Sequence, residues 1–286
     1  MNQPHKPTRS EQREAARAKA KELREQHKKN EKRKGIFIKL GLGAGIVAVA
    51  AIIAGVIVTG IGNESGQNET PKNLTSADGI LLGAGGQAIL DGVIPTPIAT
   101  PAVSTKPVKI VTYIDYQCPY CKYFEDANLK QIKGWLDTGF ATLEIRPLSF
   151  LDGKGSPNTY SSRAANAALC VASYEPNKYF DFSAALFANQ PEEGTRGPEN
   201  GELVNTAKQA GVKVTTVVEN CINNKDYGKW IAKSYVKLVQ GTMPDSNPTI
   251  EFQGTPTILV NGQSYGGAID NAAEFSQFVT GIAGTK

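Results

Sequence analysis

Apolar residues form one long continuous run near the start of the chain. Between Leu40 and Ile61 there are 22 residues without a charged side chain, and a helix of that length crosses the ~30 Å hydrocarbon core of a bilayer. The alternative is a cleaved signal peptide, but the apolar core of such a peptide usually has about 7–15 residues, and no Ala-x-Ala site follows this run. The pattern therefore predicts one uncleaved N-terminal transmembrane helix over residues 40–61.

Further along, the pattern becomes that of a folded α/β domain. Val108–Ile114 is apolar and rich in β-branched residues, which is typical of a buried strand. A helix-compatible run follows from Cys118 to about Gly134, and Ala141–Arg146 then alternates like a second strand. These segments have the length that a parallel β-α-β crossover needs. Ile80–Leu82 is predicted to add a short first strand.

Residues 153–248 are predicted to form a helical insertion. Apolar residues recur there at helical spacing in two sets, which are Tyr160, Ala164, Ala167, Ala168 and Val171, then Tyr227, Trp230, Ile231, Tyr235 and Leu238. After the insertion we expect a strand at 257–260, a turn at Asn261-Gly262, a partner strand near Tyr265 and a last helix. The predicted order is β-α-β, helical insertion, β-β-α.

Charge is distributed unevenly along the chain. The formal net charge is +4, but residues 1–39 hold 13 Lys and Arg against 5 Asp and Glu, whereas residues 63–286 hold 18 against 22. A basic segment before a transmembrane helix stays in the cytoplasm. We therefore expect a single-pass protein of the cell membrane, with a basic cytoplasmic tail over 1–39, an extracytoplasmic linker over 62–105 and an extracytoplasmic domain over 106–286. Binding to nucleic acid is not expected, because that domain is mildly acidic and has no basic stripe.

The candidate chemistry lies in the motif Cys118-Pro119-Tyr120-Cys121, between the first long strand and its helix. Unpaired backbone N–H groups and the positive end of the helix dipole favour a thiolate at Cys118 and lower the pKa of that cysteine. Pro119 suits the first turn of a helix, where an N–H group is not needed. Cys121 lies one turn later, close enough to form a short disulfide. The motif therefore predicts thiol–disulfide exchange.

The other cysteines, Cys170 and Cys221, are isolated in the sequence. A zinc site made with the Cys-x-x-Cys motif would need two further ligands, and the two histidines, His5 and His27, both lie in the basic tail. We therefore expect no metal. Cysteines on an oxidising side of a membrane tend to pair, so we expect a structural Cys170–Cys221 disulfide, with a second redox relay as the alternative.

At this point a resemblance to a known family becomes specific. The segment Asp115-Tyr116-Gln117-Cys118-Pro119-Tyr120-Cys121, followed much later by Gly254-Thr255-Pro256-Thr257, resembles the DsbA-like branch of the thioredoxin superfamily over roughly residues 106–286. The anchor and the second cysteine pair are similar to the membrane-anchored enzymes of Gram-positive actinobacteria. The resemblance implies a thioredoxin-like α/β fold in which Cys118 attacks, Cys121 resolves and Pro256 is a cis-proline.

The resemblance also implies substrates and partners. Thr255 and Pro256, with Pro119 and Tyr120 of the motif, are expected to contact the substrate. The substrates would be reduced or unfolded exported proteins. A quinone-linked membrane reoxidase, of the DsbB or the vitamin K epoxide reductase type, would restore the active disulfide. We expect a monomer with no cofactor.

The sequence departs from the family pattern at two positions. Many relatives have a buried acid six residues before the first cysteine, where this chain has Thr112; Asp115 lies closer to the motif and is interpreted as either a cap of an exposed turn or a proton-transfer group. Tyr120 stands where many relatives have histidine, so Cys118 depends more on the helix dipole and backbone donors. The leading hypothesis is an oxidase. The alternatives are a reductase or isomerase, for example in cytochrome c maturation, and a non-catalytic peptide-binding module.

Overall fold

The computed structural model describes residues 69–98, 106–152 and 159–284. The predicted basic tail and the predicted transmembrane helix over 40–61 lie outside these residues. Within the described ranges, no helix has both the length and the apolar character needed to cross a membrane.

A mixed five-stranded sheet forms the centre of the domain. Its strands are β1 (Ile80–Leu82), β2 (Val108–Ile114), β3 (Ala141–Pro147), β4 (Thr257–Val260) and β5 (Gln263–Ser264), in the spatial order β1-β3-β2-β4-β5. Strands β2 and β3 are parallel, and the other neighbours are antiparallel. The predicted β-α-β unit, the short first strand and the final hairpin are therefore confirmed.

Seven α-helices surround the sheet in the described part of the chain. They are α1 (Pro119–Asp137), α2 (Tyr160–Tyr174), α3 (Tyr179–Ala188), α4 (Asn200–Gln209), α5 (Thr216–Asn224), α6 (Gly228–Gln240) and α7 (Ala272–Gly284). Helix α1 continues past Gly134, where the sequence prediction ended it. It stops at Asp137, because Gly139 has a positive φ of 68° and supplies the left-handed conformation that commonly terminates helices.

The sheet is buried on both faces. Ile110 and Ile114 of β2 lie in the larger apolar core, together with Phe124 of α1 and Phe275 of α7. The alternate residues of the same strand face a smaller core, which contains Val111, Tyr113, Leu148, Leu238, Met243 and Leu259. This period of two is what a pleated strand imposes. Since both faces are covered, β2 reads as a continuous apolar run.

Helix α2 is the centre of the helical insertion. Of its 15 residues, 13 are buried, so the predicted stripe at Tyr160 and Val171 is confirmed but is only part of the buried surface. Five alanines in this helix allow the neighbouring helices to approach closely. In α6 the predicted face is buried at Ile231 and Leu238, whereas Trp230 is only partly buried.

Candidate active site

The Cys-x-x-Cys motif lies where β2 ends and α1 begins. Cys118 is the N-cap of α1, and Pro119 occupies the first helical turn. The backbone N–H of Cys118 donates to the carbonyl of Asp115 at 3.0 Å, which makes the tight turn between strand and helix. The sequence prediction that Cys118 stands at the start of a helix is therefore confirmed.

The pKa of Cys118 is lowered from 9.0 to about 6. The largest cause is a hydrogen bond with the side chain of Cys121, and burial of Cys118 acts in the opposite direction. The side chain of Thr255 and the backbone N–H groups of Cys121 and Tyr120 also lower the pKa. The sequence analysis expected the helix start to be the main cause. The structure adds the second sulfur as a cause and keeps the backbone donors of the helix start.

The second sulfur has the opposite electrostatics. Cys121 has no exposed surface, and its Sγ accepts the backbone N–H of Asp115 at 3.5 Å. Burial, followed by the neighbouring Cys118, raises the pKa of Cys121 well above its ordinary value. At neutral pH the pair therefore holds one thiolate, near the surface, and one interior thiol.

The loop before β4 faces the motif. The Thr255–Pro256 peptide bond is cis, as the resemblance implied, and the carbonyl oxygen of Thr255 lies 3.3 Å from Sγ of Cys118. The Thr255 hydroxyl is buried, and the Thr255 side chain helps to lower the pKa of Cys118. The loop thus places backbone and hydroxyl groups beside the reactive sulfur. The structure has a second cis bond, Asn247–Pro248, which the sequence analysis did not predict.

The structure rules out one of the two interpretations of Asp115 made from the sequence, that of a cap on an exposed turn. Asp115 does not cap an exposed turn, because none of its surface is exposed. Its carboxylate accepts hydrogen bonds from the N–H of Gln117 at 2.8 Å, the hydroxyl of Ser161 at 2.7 Å and the N–H of Leu151 at 2.9 Å. Burial raises its pKa to about 7, against these three bonds. Asp115 therefore connects the motif to α2 from inside the protein.

A second buried acid was missed by the sequence analysis. Glu125 lies one helical turn after Cys121 on α1, is only 7% exposed, and has a pKa that burial raises to about 7. Its spacing of four residues from Cys121, on the same face of the helix, is the signal that would have revealed it. Thr112, where many relatives have an acid, is also buried.

Two glutamines connect the motif to the helical insertion. Gln190 follows α3, and its side-chain amide donates to the carbonyl of Cys118 at 3.0 Å. Gln117 is fully buried, and its amide donates to the carbonyls of Glu192 and Thr195 at 3.1 and 3.0 Å. The segment 190–195 is thereby held against the start of α1.

The surface around Cys118 is aromatic. Tyr120, inside the motif, is 61% exposed, and Tyr123 is 52% exposed. Their rings meet edge to face with centroids 6.0 Å apart. Exposed aromatic side chains beside a reactive group offer apolar area to a ligand with little loss of side-chain entropy.

The remaining cysteines form the pair expected from the sequence. Cys170 of α2 and Cys221 of α5 are joined by a disulfide, with their Cα atoms 5.9 Å apart, and neither has exposed surface. In the described ranges no group of three or more His, Cys, Asp or Glu side chains is arranged to hold a metal ion. The bridge connects two helices of the insertion.

These positions define what the site can do chemically. A thiolate attacks a disulfide sulfur, and a nearby second thiol then displaces the mixed disulfide. Cys118 has the depressed pKa of an attacking sulfur, and Cys121 is its hydrogen-bonded neighbour one turn along the helix. The arrangement suits thiol–disulfide exchange in either direction.

Comparisons with known proteins agree with this chemistry. The family model described as thioredoxin matches residues 104–280. Disulfide bond formation protein D of Bacillus subtilis (strain 168) is 30% identical over 173 residues, which cover 60% of this chain and 69% of that protein.

Solved structures are also similar. The reduced form of the disulfide bond oxidoreductase DsbG from Mycobacterium tuberculosis has 26% sequence identity and a TM-score of 0.56, over 73% of this chain and 89% of that one. Reduced DsbA from Mycobacterium tuberculosis has 26% identity and a TM-score of 0.55, over 72% and 93% of the two chains.

Proposed function

Since the chain belongs to the thioredoxin family and is a protein thiol–disulfide oxidoreductase of the DsbA type, we propose that it donates disulfides to exported proteins through Cys118 and Cys121. The observation that supports this proposal best is the contrast between the two sulfurs. Cys118 has a pKa of about 6, whereas Cys121 is buried with a raised pKa.

The reaction begins from the Cys118–Cys121 disulfide. A thiolate of the substrate attacks Sγ of Cys118, the bond between the two enzyme sulfurs breaks, and Cys121 leaves and takes up a proton. A second thiolate of the substrate then attacks the substrate sulfur of the mixed disulfide and displaces Cys118 as a thiolate. The substrate loses two electrons and gains a disulfide, and the enzyme becomes a dithiol.

The low pKa of Cys118 favours this direction. A stabilised thiolate stabilises the reduced enzyme, which makes the disulfide form a stronger oxidant. It also makes Cys118 the better leaving group when the mixed disulfide is resolved by the substrate. The Thr255 carbonyl and hydroxyl, with Pro256, Pro119 and Tyr120, would align a substrate strand across the sulfur.

A membrane partner would return the enzyme to its oxidised form. Two electrons must leave the dithiol in each cycle, and a quinone-linked membrane protein can accept them. A transmembrane helix over residues 40–61 would hold the domain of residues 106–286 on the outer side of the membrane, beside such a partner. We thus propose a membrane anchor, an extracytoplasmic domain and a quinone-linked membrane partner for this protein.

The direction of the Cys118 pKa shift favours an oxidase, but its size favours a second candidate, a thiol reductase. The pKa of about 6 at Cys118 lies closer to the value of about 7 in thioredoxin than to the value of about 3.5 in DsbA. A reductase would run the same exchange in reverse, with Cys118 attacking a disulfide of the substrate.

The reduction potential of the Cys118–Cys121 pair separates the two candidates. The protein would be equilibrated in glutathione buffers of graded ratio, quenched in acid, alkylated and weighed by mass spectrometry. A potential near about −120 mV, as in DsbA, supports the oxidase, and one near about −270 mV, as in thioredoxin, overturns it. The Cys170–Cys221 pair is the internal control, because a structural bridge stays oxidised throughout this range.

Location is tested separately on the full chain. A membrane-impermeant maleimide applied to intact cells that produce the protein should label Cys118 after mild reduction. Labelling that appears only after the cells are lysed would contradict an extracytoplasmic domain.

A further inference from the structure

A cleft of about 270 Å³ lies next to the active-site motif, at Pro119. One wall is the first turns of α1, with Pro119, Lys122 and Tyr123, and the other is the segment 190–193 of the helical insertion. Pro119 follows Cys118 directly in the chain, so the cleft lies within one residue of the reactive cysteine, where residues that flank a substrate cysteine can reach it.

The wall formed by segment 190–193 is fixed in place. The carbonyl of Glu192 accepts hydrogen bonds from the Gln117 amide at 3.1 Å and from the Thr195 hydroxyl at 2.7 Å. Gln190 is bonded to the carbonyl of Cys118. These bonds use the backbone oxygen of Glu192 and the side-chain amide of Gln190, and they leave the side chains of Glu192 and Glu193 outside the network. The backbone of this wall therefore needs little further ordering when a ligand binds.

The charge that this cleft presents is negative. Lys122 is neutralised by Asp126, with Nζ and Oδ1 3.0 Å apart. The carboxylates of Glu192 and Glu193 form no hydrogen bond or ion pair that the structure shows with the described residues, and both side chains are exposed. Two uncompensated negative charges thus face a ligand beside Cys118.

The opposite wall adds an aromatic surface. Tyr123 lines the cleft, and Tyr120 meets it edge to face. Aromatic faces attract the cations of Lys and Arg, and they also accept the aliphatic stems of those side chains. The carboxylates and the Tyr123 ring that line this cleft therefore fit a basic side chain better than an acidic one.

We propose that this cleft selects substrate segments that carry a lysine or arginine next to the cysteine being oxidised. The inference rests on the proposed function, because it concerns the substrate that reacts at Cys118. It adds a chemical class of substrate: unfolded polypeptides with basic residues beside their cysteines. Acidic segments react more slowly, since they meet Glu192 and Glu193 before they reach the sulfur.

The test uses three synthetic dithiol peptides that differ at the residue before the first cysteine, which is Lys, Gln or Glu in an otherwise uncharged sequence. The disulfide form of the protein is mixed with each peptide, and the oxidation rate is followed by rapid acid quench. Each rate is divided by the rate of the same peptide with the uncharged 2-hydroxyethyl disulfide, which removes the effect of the neighbouring charge on the peptide's own thiol. At low ionic strength we expect the Lys peptide to exceed the Glu peptide by about tenfold.

The variants remove only charge. The double variant Glu192→Gln, Glu193→Gln should reduce the ratio of the Lys-peptide rate to the Glu-peptide rate to about twofold. Glu219→Gln, which removes one exposed carboxylate on α5, is the control and should leave this ratio unchanged. For the wild-type protein, ~1 M salt should also reduce the ratio to about twofold, because the screening length falls to about 3 Å. This salt measurement needs no variant to fold.

The outcomes separate this inference from the proposed function. If wild-type protein oxidises all three peptides equally fast, or if the double variant keeps the full preference, the selection of basic segments is overturned while the oxidase stands. If no peptide is oxidised by the disulfide form, the proposed function fails and the inference fails with it.

Discussion

The two cysteine pairs of this domain have the same chemical groups and nearly the same burial, yet they differ in state. Cys118 is 4% exposed, and the other three cysteines have no exposed surface. Cys118 and Cys121 are free thiols, whereas Cys170 and Cys221 are bridged across 51 residues of sequence. Lack of exposure does not therefore distinguish a reactive pair from a structural one.

What differs between the pairs is the set of groups around the sulfur. Cys118 is the N-cap of a helix, next to a cis-proline loop and a cleft. Cys170 lies inside α2, among alanines, and the polar group near Cys221 is Asn166, whose amide donates to the Cys221 carbonyl at 3.1 Å. Backbone donors and a second thiol stabilise a thiolate at the first pair. Cys170 and Cys221 lie instead within helices, and neither is at a helix N-cap.

The largest expected difference between the pairs is in turnover. Cys118→Ser should reduce oxidative refolding of a reduced, scrambled substrate by more than roughly 10³-fold, because the hydroxyl cannot replace the nucleophilic sulfur. Cys170→Ala with Cys221→Ala should retain the wild-type rate per folded molecule. Unchanged turnover in Cys118→Ser would favour a non-catalytic binding module or a contaminating oxidant.

Stability should depend more on the structural pair than on the reactive pair, the reverse of the order expected for turnover. Removing the Cys170–Cys221 bridge by the double alanine variant should lower the free energy of unfolding by about 4 kcal/mol, from the loop of 51 residues that it closes. Cys118→Ala with Cys121→Ala should lower it by about 1 kcal/mol, relative to the dithiol form. Urea unfolding followed by circular dichroism measures both. Equal losses in the two double variants would contradict the division into a reactive and a structural pair.

Asp115 links the two regions, and its replacement should have a smaller effect. Asp115→Asn keeps the shape but leaves one acceptor oxygen for three donors, from Gln117, Leu151 and Ser161, so we expect a loss of about 2 kcal/mol in the free energy of unfolding. Asp126→Asn is the matched control, because that carboxylate is 58% exposed and should change stability by less than about 0.5 kcal/mol. Equal effects of the two substitutions would show that Asp115 does not hold the motif to α2.

The sequence was sufficient for the features that depend on local pattern. Strand β2, the start of α1 at Pro119 and the final hairpin all follow from alternation, from a proline at the first turn and from an Asn-Gly turn. The end of α1 was predicted too early, because a glycine inside a helix does not terminate it without a positive φ.

Features that depend on distant residues could not be predicted. Asp115 is buried because Leu151 and Ser161, 36 and 46 residues away, donate to its carboxylate, and no local pattern encodes those contacts. The contact of Gln117 with the segment 192–195, 75 and 78 residues away, has the same origin. Glu125 was within reach of the sequence, since its spacing from Cys121 places both on one face of α1.

The smallest effect, and the sharpest measure of the contrast between the pairs, is the response of Cys118 to pH. The pKa of Cys118 is lowered to about 6, so alkylation of the dithiol protein by iodoacetamide should rise through that pH and level off above it, with a rate at pH ~5 about tenfold below the plateau. In Cys118→Ser the remaining thiol, Cys121, should stay unreactive in this range, because burial raises its pKa. A rate that is still rising steeply above pH ~8 would show an ordinary thiol at position 118.

The same shift has a consequence for stability whose sign follows from linkage. A group whose pKa is depressed by folding stabilises the folded state above its unfolded pKa, and that stabilisation is lost as pH falls through the folded pKa.

For Cys118 this pH window lies between 9.0 and about 6. The dithiol form should therefore lose stability relative to the disulfide form as the pH falls from ~8 to ~5. In this range the Cys121 thiol, whose pKa is raised by folding, stays largely protonated in both the folded and the unfolded protein. Asp115 and Glu125 are present in both forms, so their contributions cancel to first order in this difference. Urea unfolding of the two forms at matched pH measures it, and a difference that does not change with pH would place the pKa of Cys118 outside this window.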